Sequence, residues 1–140
     1  MKTRLIIIAT IFAMLFAAEA KAQSTPEEIM GKFFGLFEQD VTKAIDYLFS
    51  TNEWLEANKE GADAMKEKLE ANRKLLGNYG GYEIAAKYAL GKSYLKYICV
   101  LKYDRQPIEL VIYMYKPDKK WKLQNINFHS DFEKDMEKVE

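Results

Sequence analysis

The sequence predicts an α+β protein, with three N-terminal helices packed on a curved four-stranded antiparallel meander sheet and a short C-terminal helix. Three observations predict it. Apolar residues recur at helical spacing from Ile29 to Leu76, the period changes to two from Tyr82 onward, and the alternating segments are separated by very short breaks. Breaks that short join antiparallel neighbours, because a parallel crossover needs a dozen residues or more. A chain of 140 residues, 49% hydrophobic and 30% charged, suits one compact domain.

The first segment is read apart from that fold. Lys2 and Arg4 precede an almost wholly apolar run from Leu5 to Ala18, and Ala20-Lys21-Ala22 forms a small-x-small cleavage signal. This is the order of a secretory signal peptide. The apolar run is short of the roughly 20 residues a spanning helix needs. Gln23 stands where a lipid-anchored protein would have cysteine. Residues 1–22 are therefore expected to be a signal peptide and residues 23–140 a single domain. The chain would be secreted or periplasmic after cleavage near Ala22, and would meet a membrane only through the signal peptide before that cut. Three basic groups and one acidic group leave with residues 1–22, so the remainder carries a formal charge of −2. That balance excludes nucleic acid as an expected partner. A single cysteine, Cys99, cannot close an internal disulfide, and its place in an apolar strand pattern marks it as a small buried hydrophobe.

The first helix starts at Pro26, with Thr25 as N-cap and Glu28 completing a capping box. Ile29, Met30, Phe33, Phe34 and Phe37 make its apolar stripe, and Gly31 and Gly35 leave a flat face for another backbone. Asp40 starts a second helix with Val41, Ile45, Leu48 and Phe49 on one side. A third runs from about Asn52 or Lys59 to Leu76, with Ala62, Met65, Leu69 and Leu76 opposite a charged face. Gly77 to Gly81 stops it.

Four strands follow: Tyr82 to Leu90, Ser93 to Asp104, Ile108 to Lys116, and Lys120 to about Phe128. A Gly91-Lys92 turn would place Ala86 opposite Tyr97 and Ile84 opposite Cys99. An Arg105-Gln106 turn would place Leu101 opposite Leu110 and Lys102 opposite Glu109. In the last strand Trp121 and Leu123 share one face, whereas Ile126 and Phe128 share the other if alternation is unbroken. Exposing both Ile126 and Phe128 would cost on the order of 3–6 kcal/mol, so a β-bulge at Gln124-Asn125 is expected, with His129 and Asn127 outward. The final "DFEKDMEKVE" is an acidic amphipathic segment expected to pack Phe132 and Met136 against the body.

Helices followed by a long curved meander resemble the nuclear transport factor 2-like (cystatin-like cone) superfamily. The resemblance is carried by "PEEIMGKFFGLFEQDVTKAIDYLF" (Pro26 to Phe49) and by "KKWKLQNINFHSD" (Lys119 to Asp131), a final strand led by tryptophan. It implies a cone-shaped fold whose sheet wraps a cavity under the helices, and dimerisation through the back of the sheet. Members include isomerases, binding modules and secreted bacterial proteins without known activity, so the architecture does not choose among them.

An isomerase or dehydratase of this kind needs a general base and an oxyanion donor inside the cone. The strand positions assigned to the inner face hold no carboxylate and no histidine. Asp46, Tyr97 and His129 are the remaining candidates for the enzyme reading, and no residue is assigned as catalytic. One histidine and one cysteine make no metal set, and no phosphate loop or other cofactor motif occurs. The expected function is a non-catalytic binding or interaction module with a tyrosine-lined apolar cavity, built from Tyr82, Tyr88, Tyr97, Trp54 and Tyr47 and suited to a small apolar ligand. Lys87, Lys96, Tyr113, Tyr115 and Lys122 are expected on the outer face of the sheet, as a homodimer patch or a seat for an anionic group. Charge is uneven: residues 82–128 sum to +5, residues 23–81 to −4 and residues 129–140 to −3.

Overall fold

The computed structural model describes residues 24–132 and Met136. The expected signal peptide and its expected cleavage point fall outside them. Among the described residues four helices precede four strands: α1 Pro26–Gln39, α2 Val41–Ser50, α3 Glu53–Glu56, α4 Lys59–Leu76, then β1 Tyr79–Leu90, β2 Tyr94–Tyr103, β3 Ile108–Tyr115 and β4 Lys122–His129. The strands form one open antiparallel sheet in the order β1-β2-β3-β4. The α+β class and the meander are as expected. The helix arrangement is not: the third helical segment is divided, because Asn52 caps one turn and Asn58 caps the next helix. At the C-terminus Phe132 and Met136 are not helical and Met136 is exposed rather than packed. Residues 133–135 and 137–140 of the expected last helix lie outside the described residues.

Local chemistry explains each helix boundary. The Thr25 hydroxyl accepts from the Glu28 amide at 3.2 Å, and the Glu28 carboxylate accepts from the Thr25 amide at 2.8 Å, the predicted capping box. Asp40 ends α1 in an extended conformation and caps α2 by accepting from the Lys43 amide. The C-terminal carbonyls of α4 are met from a distance. Arg105 donates its amide to Leu76 O at 3.0 Å and its guanidinium to Leu75 O at 2.7 Å. Gly77 follows with φ +90°, and a Cβ there would lie 3.0 Å from the Asp104 side chain, so glycine is required twice over. Gly31 and Gly35 have no such role, since a Cβ at either would meet nothing within 4 Å.

The core lies between the helices and one face of the sheet. Phe33, Phe37, Met30, Ile45 and Leu48 from α1 and α2 meet Tyr97, Leu101, Leu110, Ile112, Met114 and Leu123 from the strands, all essentially fully buried. Each such side chain contributes about 1.5–3 kcal/mol relative to exposure.

Register departs from the expectation at two places. The β1–β2 turn has three residues, Gly91 to Ser93, with Leu90 opposite Tyr94, so Lys87 rather than Ala86 faces Tyr97. A register shift between Ile84 and Ala86 then restores Ile84 opposite Cys99. The β2–β3 turn has four residues, Asp104 to Pro107, because Asp104 and Arg105 are engaged with the end of α4. Leu101 consequently faces Ile108 and Cys99 faces Leu110. The expected Lys102–Glu109 pair does not form: Glu109 sits opposite Val100, and Lys102 reaches Glu83 at 3.6 Å.

β4 contains the bulge its apolar residues demanded. Tyr113 pairs with Asn125 and Met114 with Leu123, leaving Gln124 extra. Leu123 and Ile126 are buried, Trp121 and Phe128 pack against the core, and His129 is exposed on the outer side. At this edge the corner after α2 replaces a fifth strand. Thr51 Oγ1 accepts from the Leu123 amide at 2.9 Å, and Asn52 Nδ2 donates to Leu123 O at 2.7 Å. Asn52 is buried, and its Oδ1 also accepts from the Trp54 amide. Asn52→Ala strands a buried carbonyl and removes a cap, so it should lower unfolding free energy by about 2 kcal/mol in urea titration. Ser50→Ala, at an exposed position beside it, should stay within about 0.5 kcal/mol of the parent.

Candidate functional site

The helix-covered face of the sheet is packed with aromatic and aliphatic side chains. Phe33, Phe34 and Phe37 of α1 project onto it, with Phe37 against Tyr79 at 5.2 Å between ring centroids and Tyr79 against Tyr103 at 5.5 Å. Burial pushes the phenols of Tyr79 and Tyr103 above their usual range, Tyr79 furthest.

The five residues expected to line a cavity are dispersed. Tyr97 is buried, and its hydroxyl donates to Glu27 Oε1 at 3.2 Å. Tyr82 lies at the rim, stacked on Phe34 at 3.6 Å. Tyr47 is half-buried on α2 with Lys32 Nζ 4.4 Å from its ring centroid, and burial, then the Glu28 charge, raises its phenol. Trp54 is 77% exposed on α3. Tyr88 is on the other side of the sheet altogether, opposite Lys96, because the register shift at Ala85 reverses the facing of everything between it and the turn.

The same shift corrects Lys87. Expected on the outer face, it turns to the helical side and bonds Glu27 at the start of α1. Its ammonium also sits 5.3 Å from the Tyr97 ring centroid. The Lys87 bond holds the Glu27 carboxyl below its usual range and raises Lys87 in turn. Burial is the main cause of the raised Tyr97 phenol. Glu27, Lys87 and Tyr97 thus tie the first turn of α1 to β1 and β2.

The other four outer-face residues stand where expected, in company the sequence reading did not give them. Leu90, Tyr94, Tyr115 and Lys122 form one row across the four strands, and Tyr88, Lys96, Tyr113 and Asn125 form the next. Tyr94 lies 6.1 Å from Tyr113 and 6.4 Å from Tyr115 between centroids, and Lys96 Nζ lies 5.6 Å from the Tyr88 ring. Tyr88 is 52% and Leu90 78% exposed. A three-residue reading of Gly91-Lys92-Ser93 is the signal that would have placed Tyr88 and Leu90 here. Ile98 and Val111, on the central strands of this face, are buried.

At the far end of the outer face His129 Nε2 approaches the buried carboxylate of Glu109 at 3.4 Å. Asp46 pairs with Lys66 on the helical side. The three residues of the enzyme reading therefore sit in three separate settings: Asp46 with Lys66, Tyr97 with Glu27, and His129 with Glu109. Cys99 is buried, and burial pushes its thiol up to about 12. Among the described residues no group of three or more His, Cys, Asp or Glu could hold a metal ion, and no helix is long and apolar enough to cross a membrane.

Four surface clefts lined by described residues involve none of the five cavity candidates. One of about 480 Å³ lies between the α2–α3 corner (Ser50, Thr51, Glu53) and the β3–β4 turn (Pro117 to Lys120) with Lys122. Comparisons with protein-family models, with curated proteins and with solved structures found no match.

The Glu27 contact carries a pH dependence of definite sign. Glu27 lies below its usual value in the folded chain, so its contribution is complete above the unfolded carboxylate range near about 4.3. That contribution is lost as pH falls through the lower folded value. Glu27→Gln should therefore show a smaller loss of stability between about pH 5 and pH 3 than the parent chain, measured by thermal melts across that range. Both partners are substantially exposed, so solvent screening keeps the difference small.

Proposed function

We propose that this chain is a secreted, non-catalytic binding module of the nuclear transport factor 2-like kind, and that it meets its partner through the outer face of the sheet rather than inside the cone. The observation that carries this reading is the patch formed by Tyr88, Tyr94, Tyr113 and Tyr115 with Lys96 and Lys122. Tyrosine brings a broad apolar ring with a polar tip at low conformational cost, which suits contact surfaces. The helical side spends its aromatics on the core, whereas here they are left partly in solvent beside Leu90. A two-fold homodimer through this face would set the same patch against itself. That would bring the lysines of both copies into one interface, whereas an anionic partner offers Lys122 an opposite charge.

Site-specific photocrosslinking in the native host tests the face without presuming the partner. A benzophenone amino acid in place of Tyr88 or Tyr115 should give adducts, and the same group in place of Asp63 on the exposed side of α4 should not. Adducts from position 63 alone, or from none of the three, would contradict the assignment.

A further inference from the structure

The meander brings two turns to one end of the sheet, Gly91–Ser93 between β1 and β2 and residues 116–121 between β3 and β4. The α2–α3 corner joins them there across the cleft it shares with Pro117 to Lys122. This end holds Lys92, Lys116, Lys119, Lys120 and Lys122 against two carboxylates, Glu53 and Asp118. It also holds the two large apolar side chains left most in solvent among the described residues, Leu90 at 78% and Trp54 at 77%, with Trp54 immediately after Glu53 of the cleft. Tyr88 and Tyr115 stand just behind them on the outer face. The row from Leu90 to Lys122 spans about 14 Å, three strand spacings of roughly 4.8 Å.

We propose that this end of the sheet docks on an anionic lipid surface. The inference rests on the outer face being the contact surface, and it names the partner. Five lysines around an excess of positive charge match a layer of phosphate headgroups. Tyrosine and tryptophan belong at headgroup depth, where one end of the ring is apolar and the other wet. Leu90 decides between a lipid surface and an acidic polysaccharide. A sugar polymer stacks on flat rings and has nothing for an aliphatic side chain at the end of a strand, whereas the acyl boundary of a bilayer accepts one. The lysine stems lengthen the apolar footprint while their ammonium groups stay among the phosphates. Contact with lipid would then belong to the folded domain itself.

Co-sedimentation with vesicles tests this, using the protein as its own host processes it. Binding should be strong to vesicles of equal phosphatidylglycerol and phosphatidylcholine, weak to phosphatidylcholine alone, and should fall as salt is raised. Lys119→Gln and Lys120→Gln should each weaken binding to the anionic vesicles about five-fold, and together about 25-fold. Leu90→Ser should weaken it roughly ten-fold. All three positions are exposed, and unchanged thermal melts would show that folding is intact. Equal binding to both vesicle types, or anionic binding unaffected by the three substitutions, would overturn the inference. So would binding to polygalacturonate with no binding to vesicles. If vesicles fail while crosslinks from positions 88 and 115 persist, the lipid inference alone falls; if both fail, the outer-face reading falls with it.

Discussion

An antiparallel strand offers alternate side chains to its two faces, so a single extra residue decides which half of a strand the core receives. Gln124 is that residue in β4 and Ala85 marks its equivalent in β1. With Gln124 set aside, Leu123 and Ile126 both reach the core, and Trp121 and Phe128 can follow. The strand that results has Leu123 N–H and C=O turned toward the helical corner, where Thr51 and Asn52 take them up. At Leu123 the backbone groups that the sheet edge would leave unpaired are thereby taken up by two side chains. The β1 shift does the complementary thing. It delivers Lys87 to Glu27 under α1 and sends Tyr88 and Leu90 outward.

The consequence for function is a transfer of the aromatic surface from the inside to the outside. Three phenylalanines of α1, the partly buried Tyr79 of β1 and the buried Tyr97 and Tyr103 of β2 pack beneath the helices. The tyrosines at the turn end of the sheet face solvent, among lysines. The contact proposed above therefore rests on the outer face, where tyrosines stand beside Lys96 and Lys122.

How much of this could be read beforehand follows from where the deciding contacts lie. The capping box at Thr25 and Glu28, the Asp40 cap and the apolar stripe of α1 depend on neighbours within one or two turns, and they were legible. The bulge at Gln124 was legible too, because four large apolar residues cannot share a face without it. The bulge at Ala85 left no such mark. Ile84, Ala86, Tyr88 and Leu90 alternate without a break, so an unshifted strand reads as the simpler solution. The shifted register goes with Lys87 meeting Glu27, 60 residues earlier in the chain, a contact that no local pattern announces. The β2–β3 register was hidden in the same way, since its turn is lengthened by Asp104 and Arg105 reaching the end of α4. Of the candidate site, the outer-face positions Lys96, Tyr113, Tyr115 and Lys122 were visible from period alone. Those that depended on the β1 register, Tyr88 and Lys87, exchanged sides.

The most direct test is therefore of register itself. Cross-strand nuclear Overhauser contacts in the isotope-labelled protein should pair Lys87 with Tyr97 and Met114 with Leu123, with Tyr88 opposite Lys96. An unbroken ladder placing Ala86 opposite Tyr97, with Tyr88 among the core resonances, would contradict the account and return the tyrosines to the interior.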